Sequence, residues 1–439
     1  MESFKRHSIH KSEIKPGVSL TCINIDKFKS GCITVNILCE LKRDTASINA
    51  LLPRVLRRGS ANHPDMESIS AALDDLYGVR IEPIVRKKGE VQCIGFYADF
   101  PDDRYIPESV LEQAVCLVGE LLLMPYKQNG VLSNDYTQSE KSNLIDDIRA
   151  AINDKRGYAI DRLLEEMCSG EAFGISKLGS EKSALEITNI KLTDQYNEII
   201  KHARIEIFYC GAADTERVRK AIGSAFNTLV DRPGVEIPKT SLVYDPPTDT
   251  PRRFSEILDV SQGKLTIGFR MGAAMEDPDY SAFMLLNAIY GGCVSSKLFL
   301  NVRERLALCY YASSMLDKHK GIMLVSSGVD FSKFDLALDE ILAQLNDIRN
   351  GEISEWEFTS AKRSIITSVK SALDRPGGLE ELYFDSIISN IHYDPVELSD
   401  MVEETTIERV VKVASGIKTD SIFLLYGTEC EEEIDDESN

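Results

Sequence analysis

The sequence predicts an α+β chain made of two tandem, homologous domains. Three observations carry this: a proline-rich break near the middle, a hairpin-plus-helix pattern that recurs on both sides of it, and an ordinary globular composition. The 439 residues are 43% hydrophobic and 27% charged, enough apolar material for more than one core. The break lies between Asp231 and Arg253 and holds Pro233, Pro238, Pro246, Pro247 and Pro251. Proline lacks an N–H and fixes φ, so such density disfavours helix and central strand and marks a linker. The expected boundaries are residues 1–232 for the first domain, 233–253 for the linker, 254–428 for the second domain and 429–439 for an acidic, disordered tail.

The elements follow in order. Cys32–Leu41 runs apolar and opens the first half as a strand. Leu76–Phe100 reads as two β-rich runs joined at Lys87-Lys88-Gly89, a hairpin. Val110–Leu123 has apolar residues at helical spacing, and Glu140–Cys168 reads as one long helix with a kink at Gly157. The second half repeats the plan. Lys264–Met271 is its opening strand, Ala307–Phe331 its hairpin with a Lys318-His319-Lys320-Gly321 turn, and Leu336–Ile348 its helix. Lys88-Gly89 maps onto Lys320-Gly321 at an offset of 232, and Asp99 onto Asp330 at 231, which points to duplication. Ser354–Leu373 forms a further helix, stopped by Arg375-Pro376-Gly377-Gly378.

Charge and composition exclude several functions. The formal net charge of −20 argues against a nucleic-acid binder, which needs a basic face. Seven carboxylates fall between Glu429 and the last residue, a solvated run. No stretch approaches the ~20 apolar residues of a membrane helix. The opening residues lack the apolar segment of a signal peptide, so a cytoplasmic protein is expected. The ten cysteines form no Cys-x-x-Cys pair and sit in or beside apolar runs, as buried reduced thiols do.

Tyr290–Ser314 is the most specific stretch. Gly291-Gly292 allows a tight turn, Ser295 and Ser296 can cap the next helix, and Leu298, Val302, Arg305 and Leu306 fall on one helical side. Arg303 and Tyr310 flank the passage from helix to strand. A guanidinium fork and a phenol could together bind a peptide carbonyl or carboxylate, or simply be an exposed Arg and a half-buried Tyr. The stretch resembles the second-domain signature of the insulinase and mitochondrial processing peptidase (pitrilysin-type) family of zinc proteases. Gly291-Gly292, Ser295-Ser296, Leu298-Phe299, Val302-Arg303-Glu304 and Tyr310 all match it. Cys293 and Ala307 depart, each standing where the family prefers glycine. The resemblance implies that Arg303 and Tyr310 contact substrate backbone, and that each domain is a mostly antiparallel sheet covered by helices.

The same resemblance places the zinc motif of the first half, an inverted His-x-x-Glu-His, at Ala50–Ser60. Leu52, Leu56 and Gly59 keep the scaffold, but Ala50 stands for the first His, Pro53 for the Glu and Arg54 for the second His. Alanine and proline cannot ligate zinc, and a permanent cation repels it. Pro53 is expected in the first turn of its helix, where its missing N–H costs nothing. The family's later carboxylate pair corresponds to Glu140 and Asp147, with Asp in the ligand place; without histidines they read as vestigial or solvated. Of the six histidines, His7 and His10 alone are close in sequence. Pro83 restricts Gly78–Gly89 to a sheet edge or a bulge, and the resemblance implies that the region lies near an edge strand against which substrate pairs; Pro83 and Arg86-Lys87-Lys88 equally suit protection of an exposed edge.

The resemblance runs from about Lys27 to about Gly427 and is strongest to the zinc-less, YmfF-like branch of paired bacterial members. It implies a non-catalytic subunit with no cofactor of its own. Its partner would be a zinc-bearing homologue in a heterodimer (a homodimer being the other arrangement), and Arg303 and Tyr310 would serve peptide binding there. A peptide-binding or scaffold module without proteolysis, and a free-standing hydrolase with an unrecognised site, are the other readings.

Overall fold

Alternating and continuous apolar runs place thirteen strands in a computed structural model that describes residues 8–391 and 394–427. In chain order they are β1 (Ser8–Lys15), β2 (Val18–Asn24), β3 (Ser30–Glu40), β4 (Arg80–Lys88), β5 (Val91–Pro101), β6 (Lys127–Gln128), β7 (Val131–Leu132), β8 (Arg204–Gly211), β9 (Arg252–Ile257), β10 (Gly263–Arg270), β11 (Cys309–Asp317), β12 (Ile322–Val329) and β13 (Lys418–Tyr426). The first sheet has the order β1-β2-β8-β3-β5-β4, and the second, read from its other side, β9-β13-β10-β12-β11. From β2 and β9 onward the two match strand for strand. Each has one parallel pair, β2 with β8 and β9 with β13, and is otherwise antiparallel. The mixed α+β plan of two homologous sheet domains is therefore what the chain adopts. Both expected hairpins are present, β4–β5 and β11–β12, and Gly89 (φ +58°) and Gly321 (φ +66°) supply the left-handed residue each turn needs.

The chain forms two units, and neither is continuous in sequence. The first holds Met1–Arg149, Ile175–Lys239 and Ser371–Ile388; the second holds Ala150–Gly174, Thr240–Lys370 and Ser389–Asn439. Boundaries at 1–232 and 254–428 thus miss two exchanged segments, while the main division, at Lys239/Thr240, lies inside the expected linker. The physical reason is apolar pairing. In the first unit one sheet face packs Val35, Ile37 and Phe96 against the helices Ala46–Leu56 and Leu111–Leu123. The other face presents Ile23, Cys32 and Phe208, which Leu379 and Tyr383 of the Pro376–Ile388 helix cover. In the second unit the Lys155–Met167 helix lays Ala159, Leu163 and Met167 on Leu324, Phe423 and Leu425. Its opposite face packs on Leu338, Ile341 and Leu345 of the Phe334–Arg349 helix. The acidic tail lies outside the described residues.

The expected helix over Glu140–Cys168 is two helices. The first, Asn134–Ala150, ends in a short turn at Ala151–Asn153. The second starts after Asp154, whose carboxylate accepts the Gly157 N–H at 3.1 Å. That cap, rather than a kink at Gly157, breaks the pattern.

One covering helix in each unit is also pinned by charge. In the first unit Arg86 Nη1 donates to both oxygens of Glu380 at 2.8 Å, the Thr34 hydroxyl adds 3.1 Å, and Lys88 pairs with Glu381 and, at 2.9 Å, with Asp385. In the second unit Arg270, 1% exposed, donates to Asp420 at 2.8 Å and to Glu171 at 2.6 Å. Lys320 reaches Glu171 at 2.6 Å and Arg252 reaches Asp420 at 2.5 Å. In both units cations on or beside the sheet meet carboxylates on or just beyond the covering helix, Glu380, Glu381 and Asp385 in the first and Glu171 in the second, where Asp420 of β13 joins them.

Candidate functional site

The positions that resemble a zinc motif stand on the Ala46–Leu56 helix, facing the Asn134–Ala150 helix. Ala50 is fully buried in the core. Pro53 is not in the first turn, as expected, but in the helix interior, where its carbonyl still accepts the Arg57 N–H at 3.1 Å. The missing proline N–H removes one helical hydrogen bond there. Arg54 Nη1 lies 2.7 Å from Asp147 Oδ2, and Arg58 Nη1 lies 3.1 Å from Glu140 Oε1. Glu140 is buried and also accepts from Asn143 at 3.2 Å; Arg58 stacks over the Tyr136 ring. Glu140 is therefore buried and ion-paired rather than solvated, whereas Asp147 stays exposed and pairs with Arg54 at its solvated surface. The helices still bring position 54 to position 147, but as a guanidinium on a carboxylate.

Zinc does not fit this set. It needs neutral imidazoles and anionic ligands, whereas an alanine, a proline and a paired cation stand in the ligand and base positions. Among the described residues no group of three or more His, Cys, Asp or Glu is placed to hold a metal. His63 Nδ1 instead meets Glu120 at 2.9 Å, and His319 Nδ1 meets the Ser389 hydroxyl at 3.0 Å. His7 and His392 lie outside the described residues. Among the described residues nine cysteines form no disulfide, seven of them buried, and burial pushes the thiols of Cys22 and Cys39 up to about 11 and about 12. Such thiols are inert at neutral pH.

The second unit carries the other candidate residues. Ser296 Oγ accepts the Phe299 N–H at 3.4 Å, a cap that matches expectation. The residues that follow form wide turns of π type, with Leu306 N–H bonded to the Asn301 carbonyl five residues back. The wider turn buries Leu298 and Val302 and leaves Arg305 and Leu306 out, so the four do not share one face. Arg303 is half-exposed. Its guanidinium lies over the Phe299 ring, 4.7 Å from the centroid, and 3.6 Å from Glu304. Cys293, in extended backbone at φ −145°, accommodates a side chain freely. Ala307 has φ +48°, the left-handed region that favours the glycine it replaces.

Tyr310 is 65% exposed, not half-buried. It is the unpaired residue of a β-bulge: Cys309 pairs with Val329 and Tyr311 with Gly328, leaving Tyr310 between them. A bulge turns a side chain out of the ladder, here on the edge strand β11. Its hydroxyl makes one long contact, 3.5 Å to Asp330. Sequence reasoning missed the bulge, which nothing in CYYASS announces.

The edge assignment of Gly78–Gly89 agrees with the sheet order, with β4 outermost and Pro83 opposite Phe96. Arg86 and Lys88 are not edge guards, since both turn to buried carboxylates on the Pro376–Ile388 helix. Burial raises the Glu380 carboxyl above its usual value, only partly offset by Arg86. Glu171 behaves oppositely: burial pushes it up, but hydrogen bonds from Arg270 and Lys320 outweigh burial and hold it low. The sequence signal for the first group was Glu380-Glu381 and Asp385 within an otherwise apolar helix.

Fold and site together define a two-unit protein in which the positions that resemble a zinc motif hold an alanine, a proline and a paired arginine. Comparison with known proteins agrees. A family profile described as the peptidase M16 inactive domain matches residues 186–365. The "Probable inactive metalloprotease YmfF" of Bacillus subtilis is 30% identical over 418 residues, 94% of this chain and 96% of that protein. A conserved protein from Enterococcus faecalis, known as a crystal structure, is 27% identical with TM-score 0.87, covering 95% of this chain and 98% of that one. A peptidase M16 inactive domain from Pseudomonas fluorescens shares the fold at TM-score 0.77 and 15% identity, over 95% and 98% of the two chains. The chain belongs to the M16 (insulinase-type) peptidase family, in its inactive, YmfF-like branch.

Proposed function

We propose that this chain is the zinc-less subunit of an M16 metallopeptidase, and that it lends Arg303 and Tyr310 to peptide binding in a heterodimer with a zinc-bearing homologue. The observation that carries the reading is a contrast within the chain. Where ligands would stand, Arg54 is neutralised on Asp147, while Arg303, in the π-type turns, and Tyr310, at the bulge of the edge strand that follows, stay accessible. A guanidinium and a phenol held ready for a carbonyl oxygen suit substrate binding without catalysis by this chain. Zinc then belongs to the partner, and cysteines that form no disulfide among the described residues favour a reducing, cytoplasmic setting.

The test is to co-express the chain with its zinc-motif homologue and follow peptide cleavage. Arg303→Ala and Tyr310→Phe are expected to lower cleavage on the order of 10²-fold while the complex still assembles. Unchanged cleavage in both variants overturns the reading. A complex that binds peptide saturably but never cleaves it identifies the chain as a binding or scaffold module instead. Turnover by the purified chain alone would restore the hydrolase reading.

A further inference from the structure

We infer that Arg156 and Lys264, grouped around the Tyr311 ring, form a subsite that takes a carboxylate of the bound peptide, from an acidic side chain or from the chain end. The inference rests on the peptide-binding reading above and adds a charge preference to it. It starts from the bulge. Tyr311 follows Tyr310 directly on β11, so whatever surrounds the Tyr311 ring adjoins the phenol assigned to substrate.

The sheet register places the parts. Tyr311 stands opposite Gly328 on β12, and Gly328 opposite Lys264 on β10, so the three form one row on one sheet face. A side chain at position 328 would run into the Tyr311 ring at 2.5 Å and the Gln262 amide oxygen at 2.9 Å. That oxygen accepts from Lys264 Nζ at 2.8 Å, so ring, amide and ammonium converge over the glycine. The next row is Ser313, Ser326 and Thr266, where the Thr266 hydroxyl donates to the Ala159 carbonyl at 3.3 Å. The Lys155–Met167 helix begins its cover of the sheet there, one row further in. Arg156, exposed in the first turn of that helix, lays its guanidinium 4.5 Å from the Tyr311 centroid and donates to the Ser313 hydroxyl at 2.7 Å.

Both cations have neutral partners only. Among the described residues the Arg156 side chain hydrogen-bonds to the Ser313 hydroxyl and the Lys264 side chain to the Gln262 amide, and neither forms an ion pair. Asp154, the acid nearest to Arg156 in sequence, is engaged in the helix cap. Elsewhere in the same unit Arg252, Arg270 and Lys320 all meet carboxylates. Burial holds the Lys264 ammonium below its usual value, as it does for a cation short of a counter-charge. Serine and glutamine each use one N–H and leave the other donors of the fork and the ammonium to an incoming oxygen.

A carboxylate is the ligand such donors suit, the fork by two parallel hydrogen bonds and the ammonium as a point charge. The aromatic face under Arg156 holds the guanidinium in place before the ligand arrives. Because Tyr310 and Tyr311 are neighbours, the selected acid lies close along the peptide to the residue that Tyr310 contacts. The net charge of −20 works the other way and repels acidic peptides, so a preference for them has to come from local cations.

The experiment is isothermal titration calorimetry of the full chain, alone and co-expressed with the zinc-motif homologue and stripped of zinc. The probes are short peptides, neutral but for one Glu, Gln or Lys scanned along them. Amidated and free-acid versions tell a side-chain carboxylate from a terminal one. At the responsive position Glu is expected to bind about ten-fold tighter than Gln, or the free acid about ten-fold tighter than the amide. Arg156→Gln retains a donor for Ser313 and should narrow that ratio to about two-fold, and Lys264→Gln should narrow it as well. Arg156→Glu should invert it, so that Lys binds tighter than Glu, which a merely structural role of Arg156 does not produce. Each ratio is read within one variant, so the fraction of folded chain cancels. Peptides that bind equally whatever their charge overturn the inference and leave Arg303 and Tyr310 their role. So does a ratio that survives both Gln variants. No binding of any peptide, by chain or complex, overturns the proposed function itself and this subsite with it.

Discussion

The two units hold nearly the same sheet and have resolved its polar faces differently. In the second, Arg270 sits between Asp420 and Glu171, with Lys320 and Arg252 completing the set, so each carboxylate meets two cations. In the first, Arg86 faces Glu380 and Lys88 is shared between Glu381 and Asp385, and Glu380 keeps a burial cost that its partner does not cancel. The difference teaches that a duplicated scaffold preserves where charges go, not how fully they are balanced. The same divergence extends to the candidate positions. Those that resemble a zinc motif in the first unit hold Arg54 paired with Asp147, whereas Arg303 and Tyr310 of the second are exposed in part or in full.

The strongest way to break the comparison is to remove its central cation. Arg270→Ala leaves Glu171 and Asp420 buried with fewer partners and should cost about 3–5 kcal/mol. Arg86→Ala, at a more exposed position, should cost less. Urea unfolding of both variants checks the order, and equal losses would erase the contrast.

A smaller effect distinguishes the two carboxylates by pH. The Glu171 carboxyl is held below its unfolded value, so its contribution is present above that value and fades as pH falls through the lower folded one. The Glu380 carboxyl is raised, so the folded state holds its proton more tightly. Its contribution is greatest below the unfolded value and declines as pH rises through the folded one. Glu380→Gln should therefore flatten the loss of stability between mildly acidic and neutral pH, measured by thermal melts across that range. An unchanged slope would show that Arg86 already neutralises the group.

The smallest effect sharpens the comparison at the entrance to the edge strands. The first unit enters β4 through Tyr77 and Gly78, both left-handed, and the second enters β11 through Ala307. Ala307→Gly relieves the side-chain clash but gains unfolded-state entropy, so a stabilisation of no more than about 1 kcal/mol is expected in denaturant titration.

Much of this was legible in the sequence. The hairpins showed because β-rich runs flank Gly89 and Gly321, and their constant offset revealed the repeat. Ala50, Pro53 and Arg54 were readable as the residues that stand where the resemblance places a zinc motif's His, Glu and His. What was hidden depends on contacts distant in sequence. Nothing local to Glu140 and Asp147 says that arginines from the Ala46–Leu56 helix will pair with them. The π-type turns after Ser296 and the bulge at Tyr310 leave no periodicity to detect, since each shifts the pattern by a single residue. The break at Asp154 was visible as a helix-capping residue, but the apolar spacing on either side masked it.

The exchanged segments have a consequence for how the chain is made. Residues Ser371–Ile388 belong to the first unit, although some 130 residues of the second unit are synthesised between Lys239 and Ser371. The amino-terminal half cannot cover its sheet when its own last residue leaves the ribosome; it must wait, with Ile23, Cys32 and Phe208 uncapped, until the Pro376–Ile388 helix emerges. Each unit can therefore be completed only after a distant segment has been made. Separating the halves at the proline-rich segment would yield two incomplete molecules, each lacking a piece encoded in the other.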